Sequence, residues 1–232
     1  AARLLTCGAG DRTTRLWALP GGANTGFAAR AVEVARPQMH GHALVAVAPL
    51  ADARGFVCAA DEKVLRVFAR PKRGSHVLLP GLGLSSRPIS GEDASGPGDA
   101  TSDACDANAS QIELCGECAV AAMEQDELSE DTLHGRSLWP EADKLYGHGM
   151  EVVALAATPS WLASASAATL SADARIHVWR RAGADAAAPG CWAHASAVDA
   201  GFSLNATALC PSPCGRLLLA GSRDRLWALL DL

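Results

Sequence analysis

Apolar and polar residues alternate in short runs along most of the chain, at the period of two that sends successive side chains to opposite faces of a β-strand. Residues 4–7, 13–17 and 31–34 each read as a strand, separated by a turn at 8–11 and by a Gly-rich loop that follows Pro20. The pattern resumes at 44–47, 55–58 and 64–68, again at 151–156, 161–164 and 175–179, and finally at 205–209, 217–220 and 226–230. From 78 to 133 it breaks down. Within that stretch residues 82–85 offer one further strand and 112–123 a helical turn or two, while 141–145 fits a helical turn and a strand equally well.

The strands recur in an ordered way. A histidine followed by an alternating apolar run stands at His148, at His40 and, more loosely, at His194. An acid followed by a strand that ends on a large apolar residue stands at Asp11 to Trp17, Asp61 to Phe68, Asp173 to Trp179 and Asp224 to Leu230. The intervals between those end residues are 51, 111 and 51, so the middle one exceeds its neighbours by 60. Self-similarity at roughly 40 to 50 residues, with several short strands in each unit, is the signature of a β-propeller built from one sheet per blade. The leading His and the Asp six residues before the aromatic favour WD40 repeats. Kelch blades want a Gly-Gly doublet in every copy, and only Gly21-Gly22 supplies one. The expected fold is therefore all-β: a partial WD40 β-propeller of about three to four blades carrying a long acidic disordered insertion.

The same positions predict how each blade is held. A tight turn between the second and third strands of a blade presents backbone N–H groups that need an acceptor. A buried Asp meets that need and also accepts from the His at the start of the blade. A Ser on the second strand and a Trp on the third extend the chain of bonds. This assigns structural blade staples to His40, Asp11, Asp61, His148, Ser164, Asp173, Trp179, His194 and Asp224. Losing one member of such a network strands its partner, at roughly 1–3 kcal/mol. In the second unit Asp61 stands seven residues before the aromatic instead of six, and Glu62 occupies the sixth place.

Composition refines this. With 49% apolar residues in 232 the chain is globular and long enough to bury a sizeable core. Apolar runs such as 43–48 fall far short of the roughly 20 residues of a membrane-spanning helix. The net charge of −5 hides a division: from 90 to 143 there are 14 acids and one base, whereas the remainder holds 19 bases and 11 acids. Those bases are scattered, which fits a solvated surface better than a nucleic-acid stripe. Cysteines number 8, many for a cytosolic chain, but disulfide frameworks belong mostly to small secreted domains, and Cys7, Cys58 and Cys210 sit in or beside apolar strands. A reducing compartment is expected. Cys115 and Cys118 form a lone C-x-x-C, and with Cys105 and His134 they are the one set from which zinc or redox chemistry could be built. No second pair at regular spacing supports it. Hence no catalytic, cofactor or metal residues are expected. The blocks predicted are 1–80 (a partial and a full blade), 81–136 (acidic, low complexity) and 137–232 (a full blade and one lacking its last strand). With no initiator Met and an opening midway through a blade, the sequence reads as a piece of a longer protein.

Several motifs together, Asp11-Arg-Thr-Thr-Arg-Leu-Trp17, Arg36-Pro-Gln-Met-His-Gly41, Ala60-Asp-Glu-Lys-Val-Leu-Arg-Val-Phe68, Leu138-Trp-Pro-Glu141, Lys144-Leu-Tyr-Gly-His-Gly149 and Ser222-Arg-Asp-Arg225, resemble the Elongator complex protein 2 family in kind and order. The resemblance covers roughly residues 1–85 and 128–232. It implies a non-catalytic double-propeller scaffold of the complex that modifies wobble uridines in tRNA, in cytoplasm and nucleus. The partners implied are the large scaffold subunit and the catalytic subunit; direct tRNA contact has no residue to support it. The alternatives weighed are a WD40 adaptor of a ubiquitin ligase or chromatin complex and a thiol or zinc site at Cys115 and Cys118.

Overall fold

The structure, a computed structural model, describes residues 3–19, 31–50, 55–71, 77–78, 89–90, 130, 133, 138–182 and 191–232. Among them the architecture is antiparallel β. The first sheet has the order β1 (Arg3–Cys7), β2 (Thr13–Ala18), β3 (Val32–Met39). A four-stranded sheet follows, with β4 (Leu44–Pro49), β5 (Gly55–Ala60), β6 (Val64–Ala69) and, as its last strand, β9 (Glu141–Tyr146). The short strands β7 (Val77–Leu78) and β8 (Ile89–Ser90) pair with each other. The next four-stranded sheet is β10 (Val152–Ala157), β11 (Trp161–Ser166), β12 (Ile176–Arg181), β13 (Trp192–Val198), and the last is β14 (Ala206–Pro211), β15 (Leu217–Ser222), β16 (Trp227–Asp231). Each is a meander of the kind that makes a propeller blade.

Two compact units divide the chain: one comprises residues 1–4, 15–37 and 71–140, the other 5–14, 38–70 and 141–232. In the first, Ala18 and Val34 pack together with Leu16 against them. The buried Arg36 guanidinium reaches Glu33 and, 94 residues further along, Glu130 at 2.8 Å, and Trp139 N–H donates to the Pro37 carbonyl.

In the second unit three blades stack face to face. Strand β11 shows why. All six of its residues are buried, and the period of two sends Trp161, Ala163 and Ala165 into a core shared with Phe202, Ala206, Leu218 and Ala220 of the last blade. Leu162 faces the other way, into a core with Val57, Leu65, Val67, Leu145, Trp179 and Trp192. Strands buried on both faces read as continuous apolar runs, which is how Gly55–Ala60 appears in the sequence, while Trp161–Ser166 departs from it only at Ser164 and Ser166. The alanines let neighbouring sheets approach closely, while Trp161 and Trp179 supply most of the bulk.

Three sequence expectations change here. The ambiguous segment at 141–145 is a strand, and it pairs with β6, Leu145 opposite Leu65. The 60-residue excess therefore interrupts the connection between the third and fourth strands of one blade, and block 137–232 begins with the strand that completes the blade before it. His194 does not open a fourth blade: it lies in β13, the outer strand of the third, opposite Trp179. Its alternating Ala-rich run resembled an inner strand because small residues at every second position suit both places. The strand at 82–85, the helical turns at 112–123 and the disorder expected of the insertion lie outside the described residues.

Candidate functional site

The polar residues singled out in the sequence gather in the second unit, where loops joining consecutive blades meet the turns between second and third strands. In the third blade His148 leaves the loop after β9 and turns inward. Its Nε2 lies 2.7 Å from Ser164 Oγ on β11, and the Trp179 indole N–H on β12 donates to the same oxygen at 2.9 Å. All three side chains are buried. Asp173 does not join them. It is exposed in the turn before β12, its backbone N–H bonded to the Leu170 carbonyl, and His148 Nδ1 stays buried without a hydrogen-bond partner. The connection that carries Asp173 is longer than in the other blades, so a spacing of six from Trp179 no longer brings the carboxylate back to the histidine.

In place of the carboxylate, histidines surround His148. The His177 ring packs 4.2 Å from it between centroids, and His177 Nδ1 lies 3.0 Å from His194 Nε2. Trp179 meets His194 edge-on at 4.9 Å. Burial, then the neighbouring His177 and His194, hold His148 down to about 3, and burial with His194 and Arg175 lowers His177 as well.

The second blade uses the other half of the same device. His40 Nε2 lies 3.0 Å from Glu62 Oε1, and His42 N–H donates to His40 Nδ1. With Nδ1 accepting, Nε2 carries the proton and donates to the carboxylate. Glu62 also accepts from Arg66 Nε at 2.7 Å and Nη2 at 3.0 Å, while Arg66 Nη1 reaches Glu141 of β9 at 2.9 Å. Burial alone would raise the Glu62 carboxyl; Arg66 and His40 outweigh it and bring it down to about 2. Asp61 is exposed and is not the partner of His40. Glu62 has the spacing of six from the aromatic within a turn of only three residues, 61–63, and so takes that place.

Register explains why the two blades differ. Leu155 pairs with Ser164 and Ser164 with His177; in the second blade Val47 pairs with Cys58 and Cys58 with Arg66. Cys58 thus takes the place of Ser164 and Phe68 that of Trp179, leaving neither a hydroxyl nor an indole N–H. Burial pushes the Cys58 thiol up to about 12, so it stays a protonated apolar filler. A carboxylate must then hold the histidine, and Arg66 opposite Cys58 holds the carboxylate.

The last blade has no histidine, and Ala220 stands where Ser164 does in the third, so Asp224 bridges directly. Its carboxylate accepts from Ser203 N–H at 2.7 Å in the incoming loop and from Leu226 N–H at 3.1 Å in its own turn. Asp11 similarly accepts from Thr13 Oγ1 at 2.8 Å, and it is exposed. In both turns the residue after the acid, Arg12 or Arg225, adopts positive φ, 56° and 70°. Sequence reading noted Glu62 at the sixth place but assigned Asp61, and it missed Arg66 and His177. Period-two spacing was the signal for His177, since it shares a face with Trp179.

Cys105, Cys115, Cys118 and His134 lie outside the described residues. Among the described residues no group of three or more His, Cys, Asp or Glu converges as metal ligands do. Nor does any arrangement of nucleophile, base and oxyanion donors appear among the bridges just described: the histidines and carboxylates are spent on strands and turns.

No family model matches the chain. It is 34% identical over 225 residues to Elongator complex protein 2 of Mus musculus, covering 85% of this chain and 25% of that protein. With the proteins of the same name from Drosophila melanogaster and Saccharomyces cerevisiae identity is 34% and 31%, over 99% and 95% of this chain. The chain spans between a quarter and three-tenths of the length of these relatives. Three blades, each tied to its incoming loop by a His–Ser–Trp, His–Glu or Asp bridge, and a likeness that runs along nearly the whole sequence place the chain, over the length it covers, in the Elongator complex protein 2 family.

Proposed function

We propose that this chain is part of a non-catalytic scaffold subunit of an Elongator complex, supporting modification of wobble uridines in tRNA through protein–protein contacts in cytoplasm and nucleus. Its partners are other Elongator subunits, the large scaffold subunit and the catalytic subunit among them. The observation that carries the reading is likeness to proteins named as Elongator subunits over 85–99% of the chain. The chemistry of the described residues agrees with it: each buried histidine is committed to a neighbour within its own blade region, which serves rigidity and leaves the loops for partners.

Affinity purification of the full-length gene product followed by mass spectrometry is the test. Co-purifying Elongator subunits, and loss of wobble-uridine side-chain modification when the gene is deleted, are the expected results. Recovery of ubiquitin-ligase or chromatin components in their place, with tRNA modification intact, overturns the proposal in favour of an adaptor.

A further inference from the structure

We propose that His177 and His194 form a two-histidine site for a divalent transition metal, Cu2+ or Ni2+ in preference to Zn2+. The two residues stand on adjacent strands, β12 and β13, with Nδ1 of one 3.0 Å from Nε2 of the other. Two nitrogens each about 2.0 Å from one ion lie about 2.8 Å apart when they subtend a right angle and about 3.3 Å at the tetrahedral angle. The observed separation lies nearer the right angle of square-planar and octahedral ions than the tetrahedral one. That contact is an imidazole–imidazole hydrogen bond whose proton an ion would displace; His194 is exposed and His177 half-buried, so solvent reaches the pair and supplies the remaining ligands.

Two further features prepare the place. Gly147 passes directly over it: a Cβ there would sit 3.6 Å from His177 Nδ1, 3.7 Å from His194 Cδ2 and 3.1 Å from Trp179 Cη2. The glycine keeps open the approach that any other residue would fill. Below lies His148, buried, its Nε2 taken by Ser164 and its Nδ1 without a partner, its ring against His177. Arg175, two residues before His177, is exposed, so its repulsion of an ion is screened.

Trp179, edge-on to His194, supplies a built-in reporter, because a bound Cu2+ quenches indole fluorescence at contact distance. The test is titration of the full-length protein with Cu2+, followed by fluorescence and by electron paramagnetic resonance. The expected result is one equivalent with coupling to two imidazole nitrogens, bound at least tenfold more weakly in His194→Asn and in His177→Asn. His194 is exposed, so its variant folds and decides the matter if the other does not. Absence of binding below millimolar Cu2+, or wild-type affinity in His194→Asn, overturns the site and leaves the scaffold reading untouched.

Discussion

Replacing Ser164 by Ala removes one oxygen and strands two buried groups. Ser164 is fully buried, and its Oγ is the acceptor of the Trp179 indole N–H at 2.9 Å and the partner of His148 Nε2 at 2.7 Å. The backbone of β11 is unaffected, and Ala fits the space, so cavity and overpacking terms are small. What remains is desolvation. An unsatisfied buried donor costs about 1–3 kcal/mol, and two of them, less the desolvation that Ser164 itself no longer suffers, give about 2–4 kcal/mol. His148 is hit harder than Trp179, because its Nδ1 already lacks a partner and the substitution leaves the whole ring unbonded. Urea unfolding of wild type and variant, followed by fluorescence, measures the difference as a lower midpoint at unchanged slope. Asp173→Ala is the control: the carboxylate is exposed and outside the network, so its loss stays within about 0.5 kcal/mol. If Asp173→Ala destabilises as much as Ser164→Ala, or if Ser164→Ala leaves the midpoint in place, the bond pattern assigned to this blade is wrong.

Two other perturbations follow from the same reasoning. Glu62→Gln breaks charge-assisted bonds to Arg66 and His40 and lowers stability by about 1–3 kcal/mol at pH 7, whereas Asp61→Ala stays within about 0.5 kcal/mol, both read from denaturation midpoints. Because the folded Glu62 carboxyl, at about 2, lies below its ordinary 4.5, its contribution is complete above about pH 4.5 and is lost as pH falls toward 2; the gap between wild type and Glu62→Gln should close across that window. Arg225 holds φ of 70° in the turn before β16, so Arg225→Val lowers the thermal midpoint by the equivalent of about 1–2 kcal/mol while Arg225→Gly leaves it level or raises it slightly.

Strands were legible in the sequence because burial of alternate residues is written directly into the alternation; β2, β5, β11 and β15 stand where the pattern put them. Ser164, Trp179 and His148 were legible too, since register within one blade fixes which side chains share a face. Partnerships across blades were not. His194 and His148 open similar apolar runs, yet one lies on an outer strand and the other in the loop before an inner one, a distinction set by which strand each run pairs with. Asp173 and Glu62 both stand six residues before the aromatic, and only loop length separates them. A longer turn carries Asp173 into solvent, where histidines 177 and 194 take over the packing around His148. The two blades therefore conserve a bridge between incoming loop and turn while exchanging its chemistry, a carboxylate with arginine in one and a hydroxyl with indole in the other.

That exchange bears on how the chain tolerates its interruption. Between β6 and β9 lie 71 residues, against 10 between the corresponding strands β12 and β13. By the loop-closure relation, closing a connection of the greater length costs about (3/2)RT ln 7, or about 1.7 kcal/mol more. Against this, β9 buries Leu145 beside Leu65 and Val67 and brings Glu141 to the Arg66 that already holds Glu62. Burial of a leucine alone contributes about 1.5–3 kcal/mol, enough to offset the closure. Deleting residues 91–129 shortens the connection to 32 residues and should raise stability by only about 0.7 kcal/mol, with the slope of unfolding unchanged. A loss of more than about 1 kcal/mol on deletion would mean that the acidic segment contributes packing of its own, and that the fourth strand is not held by Leu145 and the Glu62–Arg66–Glu141 chain alone.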